Sequence, residues 1–221
     1  MRSQLLSSLG RKLAIALAGL FLMTFLVVHL GINLLLIKDD GGASFRAAAD
    51  FMGHNPFIQI FEWVLMGGFA LHIVIGIILW VKNRFSRGRG YKVWNKSQTS
   101  FFSRYMFHTG MIVLAFLLLH FFNFWFVKEG WVSPPEGIAH DDLYTMAILL
   151  FQNTTYSVIY LVAFVFLGFH LNHAFQSAFQ TLGWEHSKYS PFVRGFGTFY
   201  AIVISVGFAI IPLYFLFFYT A

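Results

Sequence analysis

The apolar residues of this chain gather into five long runs, at about 12–36, 57–81, 103–127, 155–179 and 198–219, and each reaches the roughly 20 residues that a helix needs to cross a bilayer core of about 30 Å. The pattern predicts five transmembrane helices in a single membrane domain over residues 1–221. The polar gaps carry smaller signals. In the first, Ser44 to Met52 reads as a short helix closed by Gly53 and by Asn55-Pro56, lying along the membrane interface. In the third, Ser133-Pro134-Pro135-Glu136-Gly137 breaks the chain, and the apolar run from Met146 to Phe151 that follows is too short to span.

Composition sharpens the class. Of 221 residues, 58% are hydrophobic and 11% charged, with a mean hydropathy of +0.69, which is outside the range of a water-soluble domain. The expected fold is an all-α integral membrane protein. The first run is too long for a signal-peptide core and no small-residue cleavage pattern follows it, so it is expected to remain in the mature protein.

Charge then orients the chain. Arg2, Arg11 and Lys12 at the amino terminus, and Lys82, Arg84, Arg87, Arg89, Lys92, Lys96 and Arg104 in the second gap, have no acid among them. The positive-inside rule assigns both segments to the cytoplasm. The first and third gaps mix Lys38, Arg46 and Lys128 with Asp39, Asp40, Asp50, Glu129, Glu136, Asp141 and Asp142, and belong on the other side with the carboxyl terminus. The net charge of +6 therefore sits at membrane edges. Anionic lipid or a cytoplasmic partner, not nucleic acid, is its counter-surface.

Four of the runs hold a histidine deep inside: His29, His72, His120 and His170, with His173 close behind the last. An ionisable ring in hydrocarbon is costly, so something must reward each one. The chain has no cysteine, which excludes thiolate-held clusters and c-type haem attachment and leaves histidine and packing to hold any cofactor. Counted from the run ends, His29 and His120 each lie about 17 residues from the cytoplasmic edge, and His72 and His170 about 15 from the opposite edge. In an up-down bundle, runs one and three face each other across one diagonal and runs two and four across the other. The first four helices are thus expected to bundle around two stacked b-type haems, one between His29 and His120, the other between His72 and either His170 or His173. Iron with an imidazole on both faces has no open position for a substrate and carries electrons instead.

Other readings stay open at this level. Each histidine alone could be a hydrogen-bonded packing residue or a proton-relay member. Gly19, Gly31, Gly67, Gly68, Gly76, Gly110 and Gly168 offer room for a porphyrin, or merely for close helix packing. His108, near the cytoplasmic edge, touches a propionate or snorkels; His54, His140 and His186 lie in the gaps and read as solvated. Glu62 is the one acid within a run. As an isolated carboxylate it is expected to have a raised pKa, and either exchanges protons with a quinone or reaches the headgroup layer. The strings Phe25 to His29 and Phe116 to His120, with Asn33 and Asn123 just beyond, echo one another as an internal repeat would.

These residues resemble the cytochrome b membrane anchor of succinate dehydrogenase and fumarate reductase, in its single-subunit form with five helices and two haems. The match covers nearly the whole chain: His29-Leu30-Gly31-Ile32-Asn33, Ala47-Ala48 to Phe51-Met52 with Pro56-Phe57 behind, Leu71-His72 followed by Gly76, Thr109-Gly110 ahead of His120, and Phe169-His170 running to Trp184. The resemblance implies that His29 and His120 bind the distal haem and His72 and His170 the proximal one. It makes His173 a bystander, since the family's ligand directly follows a phenylalanine. It also implies electron transfer between membrane menaquinone and an iron–sulfur subunit, itself joined to a flavoprotein that handles succinate and fumarate, in the bacterial inner membrane. The basic cytoplasmic segments, with Lys188 and Arg194, would dock those subunits. Where some relatives carry an acid two places before the fourth ligand, this chain has Gly168. It also lacks a flavin fingerprint and cluster cysteines, so by itself it is not expected to oxidise succinate. Two rivals remain: a cytochrome b anchor of a hydrogenase or formate dehydrogenase, and a transporter with histidine proton relays.

Overall fold

The computed structural model describes residues 8–86, 101–184 and 186–219. Regular structure there is helical throughout, and five helices are long and apolar enough to cross a membrane. Span one is Ser8–Asn33, continued by a 3-10 turn at Leu34–Ile37. Span two is Pro56–Ser86. Span three runs over Phe101–His120, loosens into a π-helical turn at Phe121–Trp125 and closes with Phe126–Lys128. Spans four and five are Thr154–Thr181 and Ser190–Phe217. Residues Arg2, Arg87, Arg89, Lys92 and Lys96 of the basic segments lie outside the described residues.

The span ends have local causes. Asn55 accepts from the backbone N–H groups of Phe57 and Ile58 ahead of span two, and Asn153 does the same for Thr155 and Tyr156 ahead of span four, satisfying donors that a helix start leaves unpaired. Span five begins at Ser190, well before the apolar run, because Pro191 suits a first helical turn and Arg194 and Thr198 are carried along with it.

Two short helices share one end of the molecule. The expected interfacial helix forms as Ala43–His54, and the short apolar run forms as Leu143–Gln152. Arg46 ties them together: its guanidinium lies 3.4 Å from Asp142 and 4.4 Å over the ring of Tyr144. Gly42 permits this contact, since its φ is +81° and a Cβ there would fall 2.6 Å from the Tyr144 ring. We call this the capped end. Arg11, Lys12, Lys82, Arg84, Lys188 and Arg194 mark the opposite, basic end.

Asp142 starts the second short helix, accepting from the Thr145 N–H at 3.2 Å and from its hydroxyl at 2.6 Å. Burial alone would raise its carboxyl; the Thr145 bonds and Arg46 outweigh that and hold it below the usual range. A depressed folded-state pKa adds stability that is present above the unfolded value of about 3.9 and is lost as pH falls through the lower folded value. Acidification below about pH 4 is therefore expected to loosen the cap first, seen as proteolytic cleavage near Pro134-Pro135 while the spans keep their circular dichroism.

The spans do not share burial evenly. In the most apolar stretches of spans one, four and five, 28–39% of residues are buried, against 6% in spans two and three. The packed interior joins Met23 and Leu30 of span one to Tyr160, Phe164 and Leu167 of span four and to Ile204, Phe208 and Phe215 of span five. Glycines let these helices meet closely, as association in lipid requires. A Cβ at Gly207 would lie 2.7 Å from Leu30, one at Gly197 2.7 Å from Phe175, and one at Gly168 2.7 Å from the Ser205 hydroxyl. The Tyr200 hydroxyl also donates to the Met23 carbonyl at 2.7 Å, bolting span five to span one.

Candidate functional site

Histidines from four different spans meet in two pairs. The rings of His29 and His120 have centres 5.8 Å apart and planes crossing at 86°. Those of His72 and His170 are 6.3 Å apart and cross at 82°. Depth along the helix explains the second pair, since His72 and His170 sit at the same remove from the starts of spans two and four at Pro56 and Thr154. The partner of His72 is His170, not His173, which lies half-buried toward the basic end.

Aromatic rings enclose the pair nearer the capped end. His29 stacks on Phe25 at 5.1 Å and lies 5.7 Å from Phe208 of span five. His120 is flanked by Phe116, Phe124 and Tyr160 at 5.9, 5.2 and 6.2 Å. Tyr160 is 1% exposed and its hydroxyl accepts from Asn123 at 3.0 Å. Asn33, by contrast, donates to the carbonyl of His29 at 2.8 Å and lies 3.4 Å from its Nδ1. The two asparagines of the sequence echo therefore do different work.

The second pair is backed by glycine. A Cβ at Gly19 would lie 3.6 Å from the ring of His72, and one at Gly110 would crowd the ring of His170 at 3.3 Å. Beside Gly110, the Thr109 hydroxyl donates to the Met106 carbonyl at 2.9 Å and lies 3.4 Å from His170 Nδ1. Spans one and three thus play parallel parts: each supplies a histidine to one pair and, about 15 Å lower on the same helix, a glycine floor to the other. Of the remaining glycines, Gly68 and Gly76 meet Phe21 and Ile15 of span one, while Gly31 and Gly67 meet nothing within 4 Å.

Glu62 is not the isolated carboxylate that the sequence leads one to expect. The Lys128 ammonium lies 2.9 and 3.2 Å from its two oxygens, and the Trp125 indole N–H donates to one of them. Lys128 also pairs with Glu129 at 3.0 Å. The π-helical turn is responsible, because its wider winding carries Trp125 and Lys128 round toward span two. A π turn has no signature in the apolar pattern, so these partners could not be read from spacing. From Glu62 the rings of Trp125 and Phe121 lead back to His120, with centres 5.6 and 6.5 Å apart.

The other histidines stand apart from both pairs. His108 is exposed beside Tyr105; His54 pairs with Asp50 at 3.0 Å; His140 bonds the Val127 carbonyl at 2.9 Å; His186 accepts from the Lys188 N–H.

Chemically, two imidazoles facing one another in hydrocarbon are a donor set for a metal that brings its own equatorial ligands. Among the described residues no group of three or more His, Cys, Asp or Glu side chains gathers to hold a bare ion. Two nitrogens at about 2 Å from one metal, each about 1.1 Å from its own ring centre, place the ring centres about 6 Å apart. Both observed pairs fall at that separation. No protein-family model matches this chain, and no curated protein or solved structure matches it either.

Proposed function

We propose that this chain is the di-haem cytochrome b anchor of a succinate:quinone oxidoreductase, its first four spans forming an up-down bundle around two stacked b-type haems. The observation that carries the reading is the meeting of four half-buried imidazoles, each from a different span, as two pairs at metal-bridging separation. His29 and His120 hold the haem nearer the capped end, and His72 and His170 the one nearer the basic end. Bis-imidazole iron supplies one-electron transfer with no position left for substrate.

The residues fit the group. His72 Nδ1 and His120 Nδ1 are buried without a hydrogen-bond partner. Such an atom costs about 1–3 kcal/mol unless something else compensates it, and both belong to the proposed ligands, one in each pair. Gly19 and Gly110 keep the rings of the basic-end pair upright, and the phenylalanines and Tyr160 exclude water from the other. In this reading the basic end faces the cytoplasm and docks the iron–sulfur and flavoprotein subunits through Lys188, Arg194 and the second connection. The capped end, with the carboxyl terminus, faces outward from a bacterial inner membrane, and menaquinone is the exchangeable substrate.

Glu62 is the group on this route able to trade a proton with a quinone, held for that task by Lys128 and Trp125. Its conversion to glutamine is expected to lower quinone turnover by on the order of 10²-fold while leaving haem content unchanged. Unaltered turnover would return Glu62 to a purely structural role.

A reduced-minus-oxidised spectrum with haem quantification on the purified chain tests the central claim. About two haems per chain are expected from the two ligand pairs, and a colourless protein would favour the histidine-relay transporter instead. Copurification of a flavoprotein and an iron–sulfur protein separates this anchor from those of hydrogenases and formate dehydrogenases.

A further inference from the structure

Most helix seams among the described residues are closed by a glycine or by close backbone packing, and one is closed by neither. Gly68 and Gly76 seat span two on span one, Gly110 seats span four on span three, Gly168 and Gly197 join spans four and five, and Gly207 joins five to one. Spans one and four also pack closely backbone to backbone. Between spans two and three, among the described residues, backbone packing is sparse and no glycine contact occurs. That seam is bridged by side chains alone. Trp80 stacks on Phe107 at 4.0 Å near the basic end. Phe69 meets Phe121 at 6.2 Å in the middle. Trp63 meets Trp125 at 6.4 Å toward the capped end, where the Glu62–Lys128 ion pair completes the closure.

A second asymmetry follows the same division. His29 Nδ1 and His170 Nδ1 each have a polar neighbour at 3.4 Å, Asn33 and Thr109. The buried Nδ1 atoms without a side-chain partner belong to His72 and His120, on the two spans that flank the loose seam, with the Ile15 backbone of span one beside His72. Spans one, four and five form a well-packed half, and spans two and three lean on it from either side. Each imidazole pair takes one ring from each half.

We infer that the seam between spans two and three is the portal through which a flat porphyrin slides sideways from the lipid to both histidine pairs, with Phe69, Phe121, Trp80 and Phe107 as its leaves. The inference rests on the haem reading given above. Its physical basis is that glycine-zipped helices cannot part without losing tight backbone contact, whereas an aromatic side chain can swing aside on its χ angles. An opening here also faces hydrocarbon, so an apolar macrocycle reaches the ligands without crossing water. The rings that part to admit it then lie against its edge.

Bridging the seam tests this directly, and the absence of native cysteine means that only introduced thiols react. The full-length chain, made in haem-deficient cells and kept in membrane vesicles, would carry cysteines at Phe69 and Phe121 or at Trp80 and Phe107, and be joined by a short bifunctional thiol reagent. A third variant, with cysteines at Phe21 and Phe61, would bridge spans one and two as a control, those rings being 5.6 Å apart. Added haemin is followed by its spectrum, each variant being compared with its own unbridged form. Bridging spans two and three is expected to slow uptake at least tenfold, and bridging spans one and two to leave it within twofold. Bridging after loading should slow transfer of haem to apomyoglobin by a similar factor. Equal uptake by bridged and unbridged seam variants would overturn the portal and leave the haem assignment standing. No uptake by any unbridged form would overturn both.

Discussion

Replacing His120 with alanine is expected to remove one haem of about two per chain and to leave the other unchanged in spectrum and potential. His29→Ala should give the same product, because the two rings face each other at 5.8 Å and neither has another imidazole in reach. His72→Ala and His170→Ala should form a second class that retains only the other haem. His173→Ala should retain both. Four single variants sorting into two spectroscopic classes would be hard to obtain from a proton relay, in which each histidine acts in series. Four classes, or loss of both haems from every variant, would contradict the pairing.

The second large effect is expected at Tyr160, the largest of the fully buried side chains. Its ring touches Phe116 at 4.9 Å, Phe151 at 5.1 Å and Phe164 at 6.0 Å, so it joins spans three and four to the short helix of the cap. Tyr160→Ala opens a cavity at that junction and should cost about 3–5 kcal/mol, together with the haem proposed at His120. Tyr160→Phe keeps the ring and loses the bond from Asn123. That change should cost about 0.6–1.5 kcal/mol, in line with polar contacts inside membranes. Unfolding in mixed detergent, followed by tryptophan fluorescence, would measure both, and equal losses would mean that the hydroxyl, not the packing, holds the junction.

The five spans were legible because a bilayer demands long apolar runs and tolerates little else. The first short helix was legible from its breaker, Asn55-Pro56, whereas the run after Pro134-Pro135 was legible only as an apolar stretch too short to span. The meeting of His72 with His170 could be anticipated from depth, since helical rise per residue is nearly constant. What escaped is whatever depends on rotation about a helix axis. The sequence lists seven glycines alike, but only Gly19 and Gly110 stand behind histidine rings; each precedes the proposed ligand of its own helix by the same interval, a regularity that becomes visible once the contact is known. Glu62 reads as solitary in the sequence because its partners arrive through a π turn. Span five, likewise, could not be placed by pattern. Its Phe208 reaches His29 only because Gly207 lets the helix approach Leu30.

The π turn at Phe121–Trp125 has a bearing on how this chain could change over evolutionary time. A π turn is in effect one residue more than an α-helix of the same rise requires. Losing a single residue there would leave span three helical and still able to cross the bilayer, so the lesion would be almost invisible to hydropathy. It would also leave Trp125 and Lys128 facing Glu62, because four residues of α-helix cover nearly the same rotation as the five of the wider π turn. Insertions and deletions, usually the province of loops, would here be absorbed inside a membrane helix while the side-chain constellation beyond it kept its place.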